Sequence, residues 1–386
     1  MKNGVLRRPG PNSRFPENSS TDGVLSVIAD FVNLPSNVLP GLRAEPFGWF
    51  RCGGIDLLSR RRNAYPGSAP IEAIDNNFYG TTEFNTNVGG GYGTVYKYTP
   101  SGVFSTIYNF DSTHGAFPYG PLVQAADGNP YGTTIEGGAS DCGTIFKITT
   151  SGTLIHSYSF KGGAAGCNPL GSLMQATDGN FYGTTFGGDT DSDFGTVFRL
   201  SKSGGVSVLY RFLGGTADGA NPVDGLVQAT DGNLYGTTRQ GGAFGNGTIF
   251  QVTPGGAYTI LYSFSSDVGA NPYAPPSQHT DGLLYGATTA GGSSGDGTLY
   301  KLDMGLGPFI TFVRSTGRVG QTVLILGQGF IGTTNVAFNG IPATTFTVVN
   351  DTYMTAGVPA GATTGPVVVT TPSGTLSSNK NFRVIP

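Results

Sequence analysis

The chain contains 386 residues, enough for two domains and a sizeable core. Only 12% of the residues are charged, against about 25% in an average soluble domain, and the net charge is −3. This balance, with one short basic cluster at Arg60–Arg62, argues against a nucleic-acid partner. No apolar run approaches the roughly 18 residues that a membrane span needs, so the sequence predicts no membrane span.

Residues 1–53 match no structural pattern. Positive charges near the N-terminus are not followed by an apolar stretch, so this region does not predict a secretory signal peptide. The later stretch "VLSVIADFV" from Val24 is short and contains Asp30, which makes it a poor signal sequence as well. We leave this segment unassigned, as either disordered or not the native start.

The most informative feature is an octet, "DGNLYGTT" from Asp231, that recurs with small changes five times. Subtracting the positions of its tyrosines gives spacings of 52, 51, 53 and 50 residues. These tyrosines are Tyr79, Tyr131, Tyr182, Tyr235 and Tyr285. Three other markers keep the same phase: a proline nine residues before the octet, a "GTIF"-like segment after it, and an aromatic pair. Four markers in phase indicate a tandem repeat.

Each repeat reads as four short strands rich in β-branched and aromatic residues, with turn residues between them. The first two strands join through Asp-Gly, which supplies the positive φ of a tight turn. Because the octet occurs in every repeat, we interpret it as architecture, since an active site needs unlike residues that converge. Four antiparallel strands in about 50 residues are typical of a propeller blade. Residues 54–305 are therefore predicted to form an all-β β-propeller of about five four-stranded blades.

The predicted ring needs a strand from the N-terminal side. The fifth repeat runs through "GTLYKLD" and then lacks a fourth strand, while a spare strand, Gly54–Arg60, precedes the first repeat. Pairing that strand with the last blade would cover both open edges. The alternative is a truncated piece of a larger ring.

The pattern changes in the last part of the chain, residues 306–386. Short alternating strands recur there with turns about every ten residues, which predicts a small immunoglobulin-like β-sandwich. This segment contains no cysteine, so no disulfide joins its sheets.

Two family resemblances accompany these patterns. Residues 66–303 resemble the GloVer tandem repeat of bacterial surface proteins through "DGNLYGTT", "GTIF" and "LYSF…GANP". Residues 308–386 resemble an IPT/TIG domain, an immunoglobulin-like module. The matching positions are Gly320, Val323, Ile325, Gly327, Phe330, Val336, Phe338, Gly340, Val358, Pro359 and Gly365. The resemblance implies an extracellular or cell-surface protein with a binding or structural role.

The long loops are the expected place for binding, because they differ between repeats on a constant frame. Cys142 and Cys167 both fall in long loops of the second repeat, and the hairpin between them should bring them together. We predict a disulfide, with two free thiols as the alternative, and Cys52 unpaired.

Two further groups of residues are candidate sites. Asp189, Asp191 and Asp193 alternate like the start of a calcium loop, but Phe194 stands where the loop needs glycine, so we favour a solvated acidic loop. The histidines His114, His156 and His279 do not converge by sequence logic, and His156 is expected to be packed in a strand. We predict no catalytic residues, no metal and no cofactor.

The sequence thus predicts a non-enzymatic, monomeric, secreted or surface protein that presents propeller loops to a glycan or a surface protein. One alternative is a propeller hydrolase or lyase acting on polysaccharide, which would need an acid pair near the mouth of the central channel. The other is a purely structural envelope or matrix protein.

Overall fold

The computed structural model describes residues 24–30, 64–85, 91–187 and 193–385. Within these ranges the chain is all-β, with 34 strands and one short 3-10 helix, Gly163–Ala165. No helix in the described part is long and apolar enough to cross a membrane.

Each of the five repeats contributes one antiparallel sheet. The first contains Ile71–Glu72, Phe78–Asn85, Thr94–Tyr98 and Phe104–Asn109, with Ala64–Pro66 alongside the second of these. The second contains Val123–Gln124, Pro130–Thr134, Thr144–Ile148 and Leu154–Ser159. The third contains Met174–Gln175, Phe181–Thr185, Thr196–Leu200 and Val206–Arg211. The fourth contains Val227–Gln228, Leu234–Thr238, Thr248–Val252 and Tyr258–Ser263, and a separate pair joins Gly219–Ala220 to Gln240–Gly241.

The fifth sheet is completed from the N-terminal side of the chain. It contains Ser277–Gln278, Leu284–Ala290 and Thr298–Asp303, with Ala270–Pro272 alongside. Its fourth strand is Val24–Asp30, which pairs antiparallel with Thr298–Asp303. The sequence predicts Gly54–Arg60 for this place, and that segment lies outside the described residues. The prediction that Gly54–Arg60 is the fourth strand is therefore wrong. A strand at the edge of a sheet pairs through its backbone, so any short apolar segment with a free backbone can occupy this place.

The octet forms the same small hydrogen-bonded unit in every repeat. In the third repeat, the Asp178 carboxylate accepts hydrogen bonds from the Asn180 backbone N–H at 2.9 Å and from the Tyr182 hydroxyl at 2.8 Å. The corresponding tyrosine–aspartate distances in the other repeats run from 2.7 to 3.0 Å. This bond ties the tight turn to the second strand, which confirms that the octet is architectural.

The Asp178–Tyr182 bond should make stability depend on alkaline pH. Burial, followed by the hydrogen bond to Asp178, raises the pKa of Tyr182 from its ordinary value of 10.0 to about 12. Because the folded-state pKa is raised, the stabilisation is complete below pH 10 and is lost as the pH rises towards 12. We expect Tyr182→Phe to lower the free energy of unfolding by about 1 kcal/mol at pH 7. The difference should disappear and then reverse as the pH approaches 12, because ionisation of this tyrosine destabilises only the wild type. Urea unfolding at both pH values tests this, and an equal difference at both would contradict it.

Consecutive sheets pack face to face through a ladder of aromatic side chains. An aromatic residue at the end of each fourth strand contacts the aromatic of the next sheet's third strand, with ring centroids 5.0 to 5.3 Å apart. The pairs are Phe110–Phe146, Phe160–Phe198, Phe212–Phe250 and Phe264–Tyr300. The opposite face of each third strand, for example Ile145, packs in the core shared with the following sheet. Both faces of the third strand are therefore buried.

A repeated glutamine also links neighbouring sheets. In the second repeat, the Gln124 side-chain oxygen accepts a hydrogen bond at 2.9 Å from the Ile74 backbone N–H of the preceding repeat. Gln175, Gln228 and Gln278 make the same 2.9 Å contact to their preceding repeats. The first repeat has Glu72 at this position.

The C-terminal unit consists of two four-stranded sheets around one hydrophobic core. One sheet contains Thr311–Phe312, Thr322–Leu326, Tyr353–Gly357 and Phe346–Asn350. The other contains Ile341–Pro342, Asn335–Phe338, Val367–Thr371 and Gly374–Ser377, and a parallel pair joins Thr316–Arg318 to Arg383–Ile385. Alternate residues of these strands, such as Val323 and Val369, point into the shared core.

The C-terminal unit contacts both the fifth and the first repeat. The Gln328 side chain donates a hydrogen bond to the Thr280 hydroxyl at 3.0 Å. Arg314 forms an ion pair with Glu72 at 3.7 Å, which is exposed and therefore weak. Thr280 occupies the turn position that the repeated glutamine contacts at the other junctions. A glutamine from this unit thus reaches the fifth turn, although it bonds to a side chain there.

Candidate functional site

The short segment that follows the proline at the start of each repeat, here called the inner segment, lines a cavity. The inner segments of all five repeats line this one cavity, which has a volume of about 180 Å³. The lining residues are Gly67, Ser68, Tyr119, Gly120, Pro121, Leu170, Val223, Asp224 and Tyr273. The repeated frame thus brings five copies of one position to a single place, and the side chains at that position differ.

Backbone geometry fixes these segments. The residue before the proline has a positive φ, 57° at Asn221 and 53° at Asn271. Asparagine tolerates this conformation, whereas Phe117, at the same place in the second repeat with φ 57°, is a strained residue. The segments also approach each other closely, because a Cβ added to Gly120 would lie 2.9 Å from the carbonyl oxygen of Gly171.

Threonines of the second strands hold the inner segment of the following repeat. The Thr184 hydroxyl donates to the Asp224 carbonyl oxygen at 2.7 Å, and Thr237 donates to the Ala274 carbonyl at 3.1 Å. In the first repeat, the buried hydroxyl of Thr81 meets no protein partner. The first repeat therefore lacks the hydrogen bond that the equivalent threonine makes to the inner segment of the following repeat in the third and fourth repeats.

Asp224 is the carboxylate among the residues that line the cavity. Its side-chain oxygen accepts a hydrogen bond from the Gly225 backbone N–H at 2.7 Å. Glu83 stands at the end of the first repeat's second strand. Burial, then the neighbouring Tyr273, Glu83 and Asp224, raise the pKa of Tyr119. Of the two acids, only Asp224 lines the cavity together with Tyr119.

Glu83 is an unusual carboxylate for this fold. Burial raises the pKa of Glu83, and its Oε2 atom is buried without a hydrogen-bond partner in the protein. The Ser68 hydroxyl, which lines the cavity, is likewise buried without a partner. Buried polar atoms normally find a partner, because leaving one unpaired costs about 1–3 kcal/mol. Of these two unpaired groups, only the Ser68 hydroxyl belongs to a residue that lines the cavity.

The predicted cysteine pair lies outside this cavity. The structure joins Cys142 and Cys167 as a disulfide with Cα atoms 4.5 Å apart, and both residues are buried between the second and third sheets. Cys52 lies outside the described residues.

The disulfide should contribute measurably to stability. It closes a loop with a sequence separation of 25 residues, for which chain entropy gives about 3 kcal/mol. We expect Cys142→Ala with Cys167→Ala to lower the free energy of unfolding by about that amount. Thermal unfolding of the oxidised protein and of the double variant measures it. A variant as stable as wild type, or two alkylatable thiols in the native oxidised protein, would contradict the prediction.

The acidic loop differs in part from expectation. Asp189 and Asp191 lie outside the described residues. Asp193 is only 4% exposed, and its Oδ1 lies 4.0 Å from the Arg211 Nε. The expectation of a solvated acidic loop is therefore wrong for this residue. The described ranges contain no cluster of three or more potential metal-ligating residues, and calcium binding by this loop stays an untested alternative.

The three histidines lie in separate surroundings. The His114 ring contacts the Asp111 carboxylate at 2.9 Å, and His279 contacts Asp281 at 3.2 Å. His156 is half-buried and packs against Gly204 of the next repeat, as expected for a strand residue. None of the three histidines lines the cavity between the five inner segments, which we call the central cavity.

Sequence reasoning missed Glu83, Tyr119, Asp224 and Tyr273. The signal that points to the two tyrosines is variation inside a constant frame: the residue after the repeated proline is glycine, tyrosine, leucine, valine and tyrosine in the successive repeats. It does not point to Glu83 or Asp224. A larger cavity of about 560 Å³ exists in the C-terminal unit, between Arg318 and Ile385. Its lining is mostly apolar and threonine side chains, so the central cavity is the better candidate.

A family model described as the Gloeobacter/Verrucomicrobia repeat matches residues 55–228 and residues 158–349. Together the two matches extend from residue 55 to residue 349, well over half of the 386 residues. No curated protein matches the chain in sequence.

Several solved structures are similar at low identity. PorZ of Porphyromonas gingivalis, described as an essential bacterial surface component of the type-IX secretion system, is 14% identical with a TM-score of 0.41, covering 96% of this chain and 51% of PorZ. The extracellular domain of BT4673 from B. thetaiotaomicron is 11% identical with a TM-score of 0.39, covering 82% and 49%. A putative 6-phosphogluconolactonase from Bacteroides uniformis is 14% identical with a TM-score of 0.38, covering 83% and 85%. This chain spans about half the length of the first two, and similarities of this size carry no functional argument.

Proposed function

Because the chain belongs to the Gloeobacter/Verrucomicrobia repeat family, we propose that it is a secreted or cell-surface protein that binds glycans at the central cavity of its repeats. The observation that carries the proposal is the convergence of unlike side chains from all five repeats on one cavity. The proposal keeps the non-enzymatic, monomeric protein expected from the sequence and moves the binding residues from the loop tips to the cavity.

The proposed architecture is a five-bladed propeller followed by an immunoglobulin-like IPT/TIG module. Face-to-face packing of consecutive sheets and their shared cavity support the ring. The two sheets around one core support the module. We place the boundary at residues 305 and 306 and add Val24–Asp30 to the propeller as its closing strand.

The extracellular location is supported by the cysteine pairing. Disulfides persist in oxidising compartments and are rare in the cytosol, and the structure joins Cys142 to Cys167 between two sheets. The low content of charged residues, 12%, leaves a surface rich in hydroxyl and amide groups.

The cavity has the chemistry of a sugar site. Aromatic rings provide apolar faces against which sugar C–H groups pack, and Tyr119 and Tyr273 provide two such rings. Carboxylate and hydroxyl acceptors orient sugar hydroxyl groups, and Asp224 and Ser68 line the cavity.

The proposal is tested by mixing the full chain with a panel of insoluble polysaccharides and measuring protein depletion and released soluble sugar in the same tubes. We expect depletion without release, and loss of depletion in Tyr119→Ala with Tyr273→Ala. The matched control is Phe244→Ala, an exposed aromatic residue (60%) of a long loop. Depletion that depends on Phe244 and not on the tyrosines would move the site to the loops, and no depletion with any polysaccharide would overturn glycan binding.

One observation favours a second candidate, a hydrolase acting on polysaccharide. Burial raises the pKa of Glu83, as a general acid requires, and Asp224 lines the cavity together with Tyr119. Sugar release that disappears in Glu83→Gln would establish this alternative.

A further inference from the structure

The five residues that directly follow the repeated proline all line the central cavity. They are Gly67, Tyr119, Leu170, Val223 and Tyr273. In the proposed ring the first repeat lies between the second and the fifth, so the glycine stands between the two tyrosines. Because Gly67 has no side chain, the space between the two tyrosine side chains stays open and forms part of the cavity.

The backbone walls of the cavity lie close together. A Cβ added to Gly67 would lie 2.8 Å from the Tyr119 carbonyl oxygen, and a Cβ added to Gly171 would overlap the Gly225 backbone nitrogen. Approaches this close are possible only at glycine. The first inner segment therefore touches the second, and the third touches the fourth, so that no sugar chain can pass between them.

The exposure of the lining residues indicates where the cavity opens. Tyr273 is 40% exposed, whereas Val223 is only 6% exposed. Both line the cavity of about 180 Å³, a volume below the roughly 300–1,000 Å³ of common small-molecule pockets. A cavity of this size that opens at Tyr273 accommodates one sugar ring and leaves the next ring of a chain outside.

Ser68 supplies an unused hydrogen-bonding group in the cavity. Its hydroxyl is buried and has no partner in the protein, and the residue lines the cavity. Buried polar groups normally have a partner, and a hydroxyl group can both donate and accept. A sugar hydroxyl can therefore pair with Ser68, while the carboxylate of Asp224, which also lines the cavity, accepts from another.

Resting on the proposed glycan binding, we propose that the cavity binds the terminal sugar of a glycan chain and not its internal units. The pyranose ring of that sugar lies in the space beside Gly67, between the side chains of Tyr119 and Tyr273. Its hydroxyl groups bond to Ser68 and Asp224, and the rest of the chain extends into solvent past Tyr273.

Titration calorimetry of the full chain with sugars of increasing length tests this end-on binding. The series is the monosaccharide, disaccharide and tetrasaccharide of the polysaccharide that depletes the protein, which for cellulose means glucose, cellobiose and cellotetraose. We expect the three dissociation constants to agree within about threefold, because only one unit contacts the protein. A larger gain in affinity from the monosaccharide to the tetrasaccharide would overturn the inference. If the constants agree, borohydride reduction of the tetrasaccharide shows which end is bound, because it opens only the ring at the reducing end.

Ser68→Ala tests the contact inside the cavity. We expect it to weaken monosaccharide binding about threefold to tenfold and not to lower the thermal midpoint, because the hydroxyl has no partner in the protein. The matched control is Ser172→Ala, which changes a serine of the third inner segment that does not line the cavity and should bind like wild type. A Ser68→Ala protein that binds the monosaccharide as tightly as wild type would overturn the inference.

The polysaccharide panel separates this inference from the proposed function. If polysaccharide binding depends on Tyr119 and Tyr273 but the affinity rises with chain length, the proposed function stands and end-on binding fails. If no polysaccharide of the panel depletes the protein, both fail.

Discussion

Removal of residues 1–30 should destabilise the fifth sheet and cause the protein to self-associate. Val24–Asp30 contributes six registered residue pairs to Thr298–Asp303. Without them, the backbone N–H and C=O groups on that side of Thr298–Asp303 lose their strand partner, and an open edge recruits other chains. We expect the thermal midpoint to fall by about 5–10 °C, which corresponds to a loss of about 2–4 kcal/mol in a domain of this size. Calorimetry and light scattering after size exclusion measure the two effects.

The matched control removes residues 1–23 and keeps the strand, and it should behave like the full chain. A chain that starts at residue 54 should behave like the 31–386 protein, because it also lacks Val24–Asp30. If the 31–386 protein stays monomeric with an unchanged midpoint, the fifth sheet does not depend on this strand, and Gly54–Arg60 becomes the leading candidate to replace it.

Phe198→Ala should be among the most damaging single substitutions in the repeats. Phe198 is fully buried, its ring centroid lies 5.1 Å from that of Phe160, and it joins the core between the second and third sheets. Truncation of a buried phenylalanine to alanine costs about 3–5 kcal/mol through lost burial and the cavity left behind. Urea unfolding monitored by far-UV circular dichroism measures the loss in the free energy of unfolding.

Val208→Ala is the control for Phe198→Ala. Val208 is the cross-strand partner of Phe198 but is 38% exposed, so its truncation should change the free energy of unfolding by well under the Phe198 value. Similar losses in both variants would mean that the aromatic ladder between sheets does not dominate stability. A loss of less than about 1 kcal/mol in the free energy of unfolding of Phe198→Ala would contradict the prediction directly.

Much of the fold is readable from the sequence because each local pattern recurs in at least four of the five repeats. The Asp-Gly turn, the alternating third strand and the in-phase aromatic residues each specify local structure, and the four-stranded sheets follow from them. The interpretation of the octet as architecture is confirmed by bonds such as the one from Tyr182 to Asp178. These contacts lie within one repeat or between neighbours, so a local pattern is enough to specify them.

The sequence by itself thus determined the repeat, the all-β class and the sandwich pattern of the C-terminal unit. Only the tertiary structure decided that Val24–Asp30 completes the fifth sheet, since main-chain pairing at an edge carries little sequence preference. It also decided that Tyr119 and Tyr273, three repeats apart, line one cavity with Asp224. Residues so distant in sequence leave no periodic signal of their own, and they meet because the stacked sheets bring equivalent positions of every repeat to the same place.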